Sequence, residues 1–151
     1  MKRRTAYKCG SFAAAVGASI AAACSSSTSP HVGTPCPTYS GGSATPATLA
    51  GNYTLASFCE DTLPAFGPAQ GVMGMLSLTV GTPNTFNAMV IIPMQSPVVL
   101  AGPYSVSHDT IMVTLPPPLG TFTGTYAFAS NVLSVSGLLP NNVPIAIVFS
   151  Q

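Results

Sequence analysis

Two ten-residue segments, 22 positions apart, carry the same pattern of apolar and polar residues: residues 104–113 read YSVSHDTIMV and residues 126–135 read YAFASNVLSV. If each folds as a β-hairpin with a two-residue turn, the facing pairs on one side are all apolar or aromatic, and a slip of one residue destroys that agreement. The predicted pairs are Tyr104–Val113, Val106–Ile111, Tyr126–Val135 and Phe128–Leu133. Residues 108–109 and 130–131 include His, Asp and Asn, which tolerate the positive φ angles of tight turns. The repeat therefore predicts two hairpins.

The chain after residue 49 shows the same two-residue alternation in short runs, separated by Gly, Pro, Asn and Asp. Pro is frequent, and no long window has the 3.6-residue period of a helix. We predict eight strands, at residues 52–59, 72–80, 85–92, 98–107, 110–115, 121–129, 132–137 and 145–150. The predicted fold class is all-β, an antiparallel meander that closes into a small up-and-down barrel or stacks as a small sandwich. A barrel is favoured because the chain has almost no charge with which to protect an open sheet edge.

Charged residues are few and unevenly placed. All four Lys and Arg lie within the first eight residues, and the three acids are Glu60, Asp61 and Asp109. Nucleic-acid binding and phosphate handling both depend on Lys and Arg. A chain that begins at residue 24 has neither residue type, so we predict no nucleic-acid partner.

The N-terminal segment has the layout of a secretory signal peptide, with a basic start, an apolar stretch at residues 12–23 and three Ala before Cys24. We predict that residues 1–23 are removed. Residues 20–24, IAAAC, resemble the lipobox of bacterial lipoproteins, which implies diacylglycerol on Cys24 and a membrane anchor. Ser25 then implies an outer-membrane lipoprotein facing the periplasm or the cell surface. The alternatives are an ordinary cut at the same bond, an uncleaved anchor helix, and twin-arginine export.

Residues 24–48 are predicted to be a lipid-anchored linker ahead of a domain at residues 49–151. Between residues 25 and 48, 18 of 24 residues are Ser, Thr, Pro or Gly, a composition that buries too little apolar surface to order a chain. Cys36 and Cys59 are the other cysteines after residue 24. In an exported protein we expect them to form a disulfide bond, and two buried thiols are the alternative.

Residue types that serve in catalysis occur here without the required spacing. Ser107, His108 and Asp109 are the types of a hydrolase triad, but they are consecutive at a hairpin tip, where side chains diverge. The adjacent Glu60 and Asp61 point to opposite faces of an extended chain. No spacing of the zinc-ligand type is present. We therefore predict that the protein is not an enzyme and that it has no metal and no cofactor. An enzyme that uses His108 or the scattered acids is a third hypothesis, after the two functions given below.

Three short motifs resemble those of small bacterial lipocalin-like lipoproteins: residues 51–55 (GNYTL), 62–64 (TLP) and 102–111 (GPYSVSHDTI). The resemblance extends over most of residues 49–151. It implies a meandering, lipocalin-like β-barrel that can hold an apolar pocket, and it implies no catalytic residue.

Tyr53, Tyr104 and Tyr126 share strand faces with predicted core residues. They are the candidate ligand-binding residues, because hydroxyls on an apolar wall can orient a ligand; the alternative is that they fill the core. The leading functional prediction is a membrane-anchored envelope lipoprotein that binds a small apolar molecule without catalysis. The alternative is a structural or protein-interaction module of the envelope, because the outer face of the strands is Ser, Thr, Asn and apolar.

Overall fold

The computed structural model describes residues 34–139 and 141–151. The predicted signal peptide and Cys24 lie outside the described residues. In chain order the elements are α1 (Pro46–Leu49), β1 (Gly51–Glu60), β2 (Thr62–Phe66), a 3-10 turn (Pro68–Gln70), β3 (Met73–Thr79), β4 (Thr85–Ile91), β5 (Val98–Ser107), β6 (Thr110–Thr114), β7 (Thr121–Ala129), β8 (Val132–Leu138) and β9 (Pro144–Ser150).

Eight of the nine strands, β1 and β3 to β9, form a closed antiparallel barrel. Each strand pairs with the next, and β9 returns to pair with β1 from Thr54↔Ser150 to Glu60↔Ile145. The prediction of an all-β antiparallel meander is confirmed, and the barrel is the arrangement formed. All eight predicted strands are present, with ends within one residue of those predicted. Closure pairs the first and last strands of the meander with each other, so these two strand edges do not need charged residues to protect them from other chains.

Both predicted hairpins form in the predicted register. Tyr104 faces Val113 in β5 and β6, and Tyr126 faces Val135 in β7 and β8. The turn residue His108 has a φ of 53°, and Ser130 and Asn131 have φ values of 51° and 63°. These are the left-handed conformations that a tight hairpin turn requires.

A ninth strand, β2, lies where the sequence indicated only a turn. It folds back on the second half of β1, where Phe58 faces Phe66, after a turn in which Asp61 has a φ of 64°. That edge of β1 is available because β3 pairs with its first half alone, from Gly51 to Thr54. The sequence pattern did not reveal β2 because the strand contains Pro64, which cannot donate a hydrogen bond to a neighbouring strand.

Inward side chains of the barrel form one contiguous buried cluster. Its buried members are Leu49, Tyr53, Leu55, Val72, Leu76, Leu78, Phe86, Tyr104, Ile111, Phe122, Tyr126, Leu133, Val135, Ile145 and Phe149. Near the opposite end from α1, the ring of Phe122 lies against the backbone of Gly137 on the next strand. A Cβ at Gly137 would stand 2.8 Å from that ring, so glycine is required for the close approach.

Candidate functional site

Residues 34–45, which we call the strap, cross the outer wall of the barrel. The backbone N–H of Tyr39 donates to Ser136 Oγ at 2.7 Å, and Ser136 Oγ donates to the Tyr39 carbonyl at 3.3 Å. Ser136 faces outward on β8, yet it is only 3% exposed, because the strap covers it. The sequence assigned residues 24–48 to a linker. Over residues 34–48 the structure differs, since this part of the chain packs against the barrel.

The strap is joined to β1 by a disulfide bond between Cys36 and Cys59, with an S–S distance of 2.02 Å. This pairing matches the one expected from the sequence. It depends on a β-bulge in β1: Leu55 faces Phe149 and Ser57 faces Val148, so Ala56 is an extra residue. The bulge reverses which residues face inward. Cys59 therefore lies on the outer wall, packed with Cys36 and Ala146.

After the strap, the chain enters one end of the barrel, which we call the mouth. The mouth is bordered by the β3–β4, β5–β6 and β7–β8 turns and by the start of β1. The short helix α1 sits there, with Thr45 as its N-cap residue. Its last residue, Leu49, is fully buried and belongs to the barrel core. The helix therefore acts as a lid on the mouth.

Three tyrosines on three different strands hold the lid and the adjoining end of the strap from below. The Tyr53 hydroxyl donates to the Leu49 carbonyl at 2.7 Å. The Tyr126 hydroxyl donates to the Ala44 carbonyl at 2.9 Å, and the Tyr104 hydroxyl donates to the Pro46 carbonyl at 3.5 Å, the limit for a hydrogen bond. The structure brings the three predicted ligand-binding residues together at the mouth. The acceptors that their hydroxyls find there are backbone carbonyls of the same chain.

Gly42 lets the strap enter the mouth closely against Tyr126. The Gly42 N–H donates to the Tyr126 carbonyl at 2.8 Å. A Cβ at Gly42 would overlap the Tyr126 ring, far inside van der Waals contact. The absence of a side chain at residue 42 therefore lets the chain pack against Tyr126 where it leads into the lid.

Burial is the first cause of the raised pKa of all three tyrosines, Tyr53, Tyr104 and Tyr126. For Tyr126, the nearby Asp109 carboxylate also raises the pKa. All three hydroxyls are therefore protonated at neutral pH and act as hydrogen-bond donors. The site can hold neutral oxygen acceptors such as carbonyl, ester or ether groups.

Other residue types that the sequence singled out do not gather into a site. The Ser107 hydroxyl lies 3.4 Å from His108 Nδ1 at an exposed hairpin tip. Glu60 and Asp61 end β1 and begin the β1–β2 turn; burial and the neighbouring Asp61 charge raise the pKa of Glu60. Among residues 34–139 and 141–151, no three His, Cys, Asp or Glu residues are grouped to bind a metal ion.

Two shallow grooves lie on the outer wall. One, of about 410 Å³, runs between the strap and strands β7 and β8; its lining is mostly apolar and includes the hydroxyls of Thr125 and Ser136. The other, of about 490 Å³, crosses β1, β3, β4 and β5 and is lined in part by Met75, Met89 and Val99. Sequence reasoning missed both, since each combines residues from strands distant in the chain.

Comparison with known proteins gives no relative from which to transfer a function. No protein-family model matches the sequence, and neither a curated protein nor a solved structure matches it. In the described part of the chain, no helix has the length and hydropathy needed to cross a membrane.

Proposed function

We propose that this protein is an exported, lipid-anchored envelope protein with a lipocalin-like barrel that binds a small, neutral, mostly apolar molecule at its mouth. The observation that carries the proposal is the convergence of three hydroxyl donors, from β1, β5 and β7, on carbonyl groups that belong to the lid or to the adjoining end of the strap, and not to the barrel wall. A molecule that takes the lid's place would meet the same donors above an apolar wall. That combination is typical of small-molecule sites.

The charge of the domain restricts the ligand class. Residues 24–151 contain no Lys or Arg, so an anionic ligand buried at the mouth would have no cation to pair with. Asp109 lies close enough to raise the pKa of Tyr126, and its charge further disfavours an anion. The ligand is therefore expected to be neutral and to carry at least one oxygen that accepts a hydrogen bond.

The lid is small enough to be exchanged. A four-residue helix has no stability of its own in water, so α1 keeps its place through Leu49 and through the three tyrosine hydroxyls, two of which bond to the helix and one to the adjoining end of the strap. The disulfide bond lies at the other end of the strap, at Cys36. Release of the lid would therefore leave the strap attached to the barrel.

Membrane attachment is proposed through Cys24, on the resemblance of residues 20–24 to a lipobox. Cys24 lies ten positions before residue 34, where the part of the chain that the structure describes begins. Intact mass spectrometry of the membrane fraction tests this: a chain that begins at Cys24 with an added diacylglycerol is expected, and one that retains residues 1–23 would contradict it.

Ligand binding is tested with a matched pair of probes, methyl laurate and laurate, at pH 8 and below their solubility limits. We expect native mass spectrometry and tyrosine fluorescence to show binding of the ester and at least about tenfold weaker binding of the acid, a difference of about 1.4 kcal/mol. Leu49→Ala weakens the lid and leaves the donors, so it should tighten ester binding. The variant with Tyr53→Phe, Tyr104→Phe and Tyr126→Phe should abolish it. Failure of both probes to bind, or binding that the triple variant retains, would refute the proposal.

A second candidate function is a protein-interaction module, which the outer face of β3 to β5 favours. Met75 is 54% exposed and Val99 59% exposed on this face, and exposed apolar patches mark interaction sites. Cross-linking of intact cells through a photoreactive residue at position 99 tests it. One defined envelope protein captured there, and not from the same probe at position 123 on β7, would favour this function over ligand binding.

A further inference from the structure

Methionine has an unusual position in this domain. In the described residues, the buried hydrophobic core consists of Leu, Ile, Val, Phe, Tyr, Ala and Cys and contains no Met, although methionine is one of the residue types most often buried. Of the six methionines in the chain, five fall in the described part. Met73, Met75, Met94 and Met112 are exposed, and Met89 is half-buried.

Three of these methionines share one outer patch on the paired strands β3 and β4. Met75 lies directly opposite Met89, and Met73, two residues before Met75, is on the same face and diagonal to Met89. Side chains directly opposite have Cβ atoms about 4.5–5.5 Å apart, and diagonal neighbours are about 7–8 Å apart. A methionine side chain has three rotatable bonds, so the three sulfur atoms can converge over the patch.

The surroundings of this patch are neutral. The groove that Met75 and Met89 line also contains Ser77, Asn87 and Val99, and none of the side chains that line it carries a charge. Hard cations such as Ca²⁺ and Mg²⁺ are bound by oxygen ligands, among which carboxylates supply most of the charge. Neutral thioethers are soft ligands that select Cu(I), and they have no proton to lose on binding.

We propose that Met73, Met75 and Met89 form a binding site for a soft monovalent cation, with Cu(I) as the physiological ion and Ag(I) as its redox-inert analogue. The site lies on the outer wall and does not depend on what the mouth binds. Because thioethers do not titrate, binding should be unchanged between pH 5.5 and 8, unlike binding at Cys or His ligands, which must first lose a proton.

The test uses the full chain with Cys9→Ser and Cys24→Ser, so that no free thiol competes and the Cys36–Cys59 disulfide stays intact. Silver nitrate is titrated in chloride-free buffer, followed by calorimetry and by NMR of ¹³C-methyl methionine. We expect one Ag(I) per chain, with shifts of the Met73, Met75 and Met89 methyls and none at Met112.

Leucine replacements separate metal binding from apolar docking, because Leu keeps the apolar surface and removes the sulfur. The variant with Met73→Leu, Met75→Leu and Met89→Leu should lose the site. Removal of a residue that only supports a metal ligand, without touching the metal, weakens metal affinity about 10–100-fold. Each single Met→Leu replacement removes a ligand itself, so it should weaken Ag(I) binding at least tenfold. Met112→Leu and His108→Ala should leave it unchanged. Absence of saturable binding, equal shifts at all methionines, or binding that the triple variant retains would overturn the proposal.

Discussion

Tyr126→Phe removes one hydroxyl and is the sharpest test of how the lid is held. Tyr126 has 0% exposure, and its hydroxyl donates to the Ala44 carbonyl at 2.9 Å. A net hydrogen bond contributes about 0.5–1.5 kcal/mol, and a buried acceptor left without a donor adds a penalty of about 1–3 kcal/mol. Because Ala44 is only half-buried and water can reach it, we expect a loss near the lower end, about 1–2 kcal/mol of the free energy of unfolding.

The assay is thermal and urea unfolding, with Tyr39→Phe as the matched control. Tyr39 contributes its backbone N–H and carbonyl to the strap's contacts, so the control should change stability by less than about 0.5 kcal/mol, as surface substitutions do. For a domain of this size the Tyr126→Phe loss lowers Tm by about 4–8 °C. Equal Tm values for the two variants would refute the assignment of Tyr126 as a support of the lid.

Hydrogen exchange gives a second, local measure of the same variant. The Leu49 N–H donates to the Thr45 carbonyl within the lid, and local opening exposes such amides to exchange. Tyr126→Phe should accelerate exchange at Leu49 more than in the β7–β8 hairpin. A uniform acceleration across the barrel would mean that the variant weakens global stability and leaves the lid's attachment unchanged.

Three further perturbations address the strap and the far end of β1. Replacing both Cys36 and Cys59 by Ser opens a loop with a sequence separation of 23 and should lower the free energy of unfolding by about 3 kcal/mol in urea titration; an unchanged midpoint would contradict this. Gly42→Ala places a Cβ against the Tyr126 ring and should raise protease cleavage within the strap, whereas Gly41→Ala, with open space around it but a positive φ, should strain only the local turn. Burial and the Asp61 charge raise the pKa of Glu60, so the native state prefers the neutral acid and loses stability as pH rises through that pKa. Glu60→Gln should therefore raise Tm at pH 7 and leave it unchanged at pH 3.5, and an equal gain at both pH values would argue against this cause.

The barrel wall was predictable because its information lies in local alternation. The register of the hairpins at residues 104–113 and 126–135 can be read from the sequence. On the inward face, each apolar or aromatic residue lies opposite another, and the turn residues accept positive φ. Strand ends followed from the Gly, Pro and Asn residues between the runs. These features are all readable within about ten residues of chain.

The lid was not predictable because its contacts are made by backbone groups. The strap and the lid present backbone carbonyls to the three tyrosines, and the strap has no side chain at Gly42; composition reveals none of these features. Its richness in Ser, Thr, Pro and Gly resembles that of a free linker. The bulge at Ala56 is equally hidden, since one extra residue within an alternating run becomes visible only when the partner strand is known.

Pairing of β1 with β9 makes the folding of this domain depend on its last residues. Thr54 and Ser150 meet across 96 residues, whereas the two tight hairpins close over two. Closing a loop of that length costs about 3 kcal/mol more conformational entropy than closing a short turn. We therefore expect the pairing of β1 with β9 to form last and to limit the folding rate. Until then, the chain exposes two strand edges at once, and Glu60 is their only charged residue. Crowded unfolded chains can pair through these edges, so refolding yield should fall steeply with protein concentration.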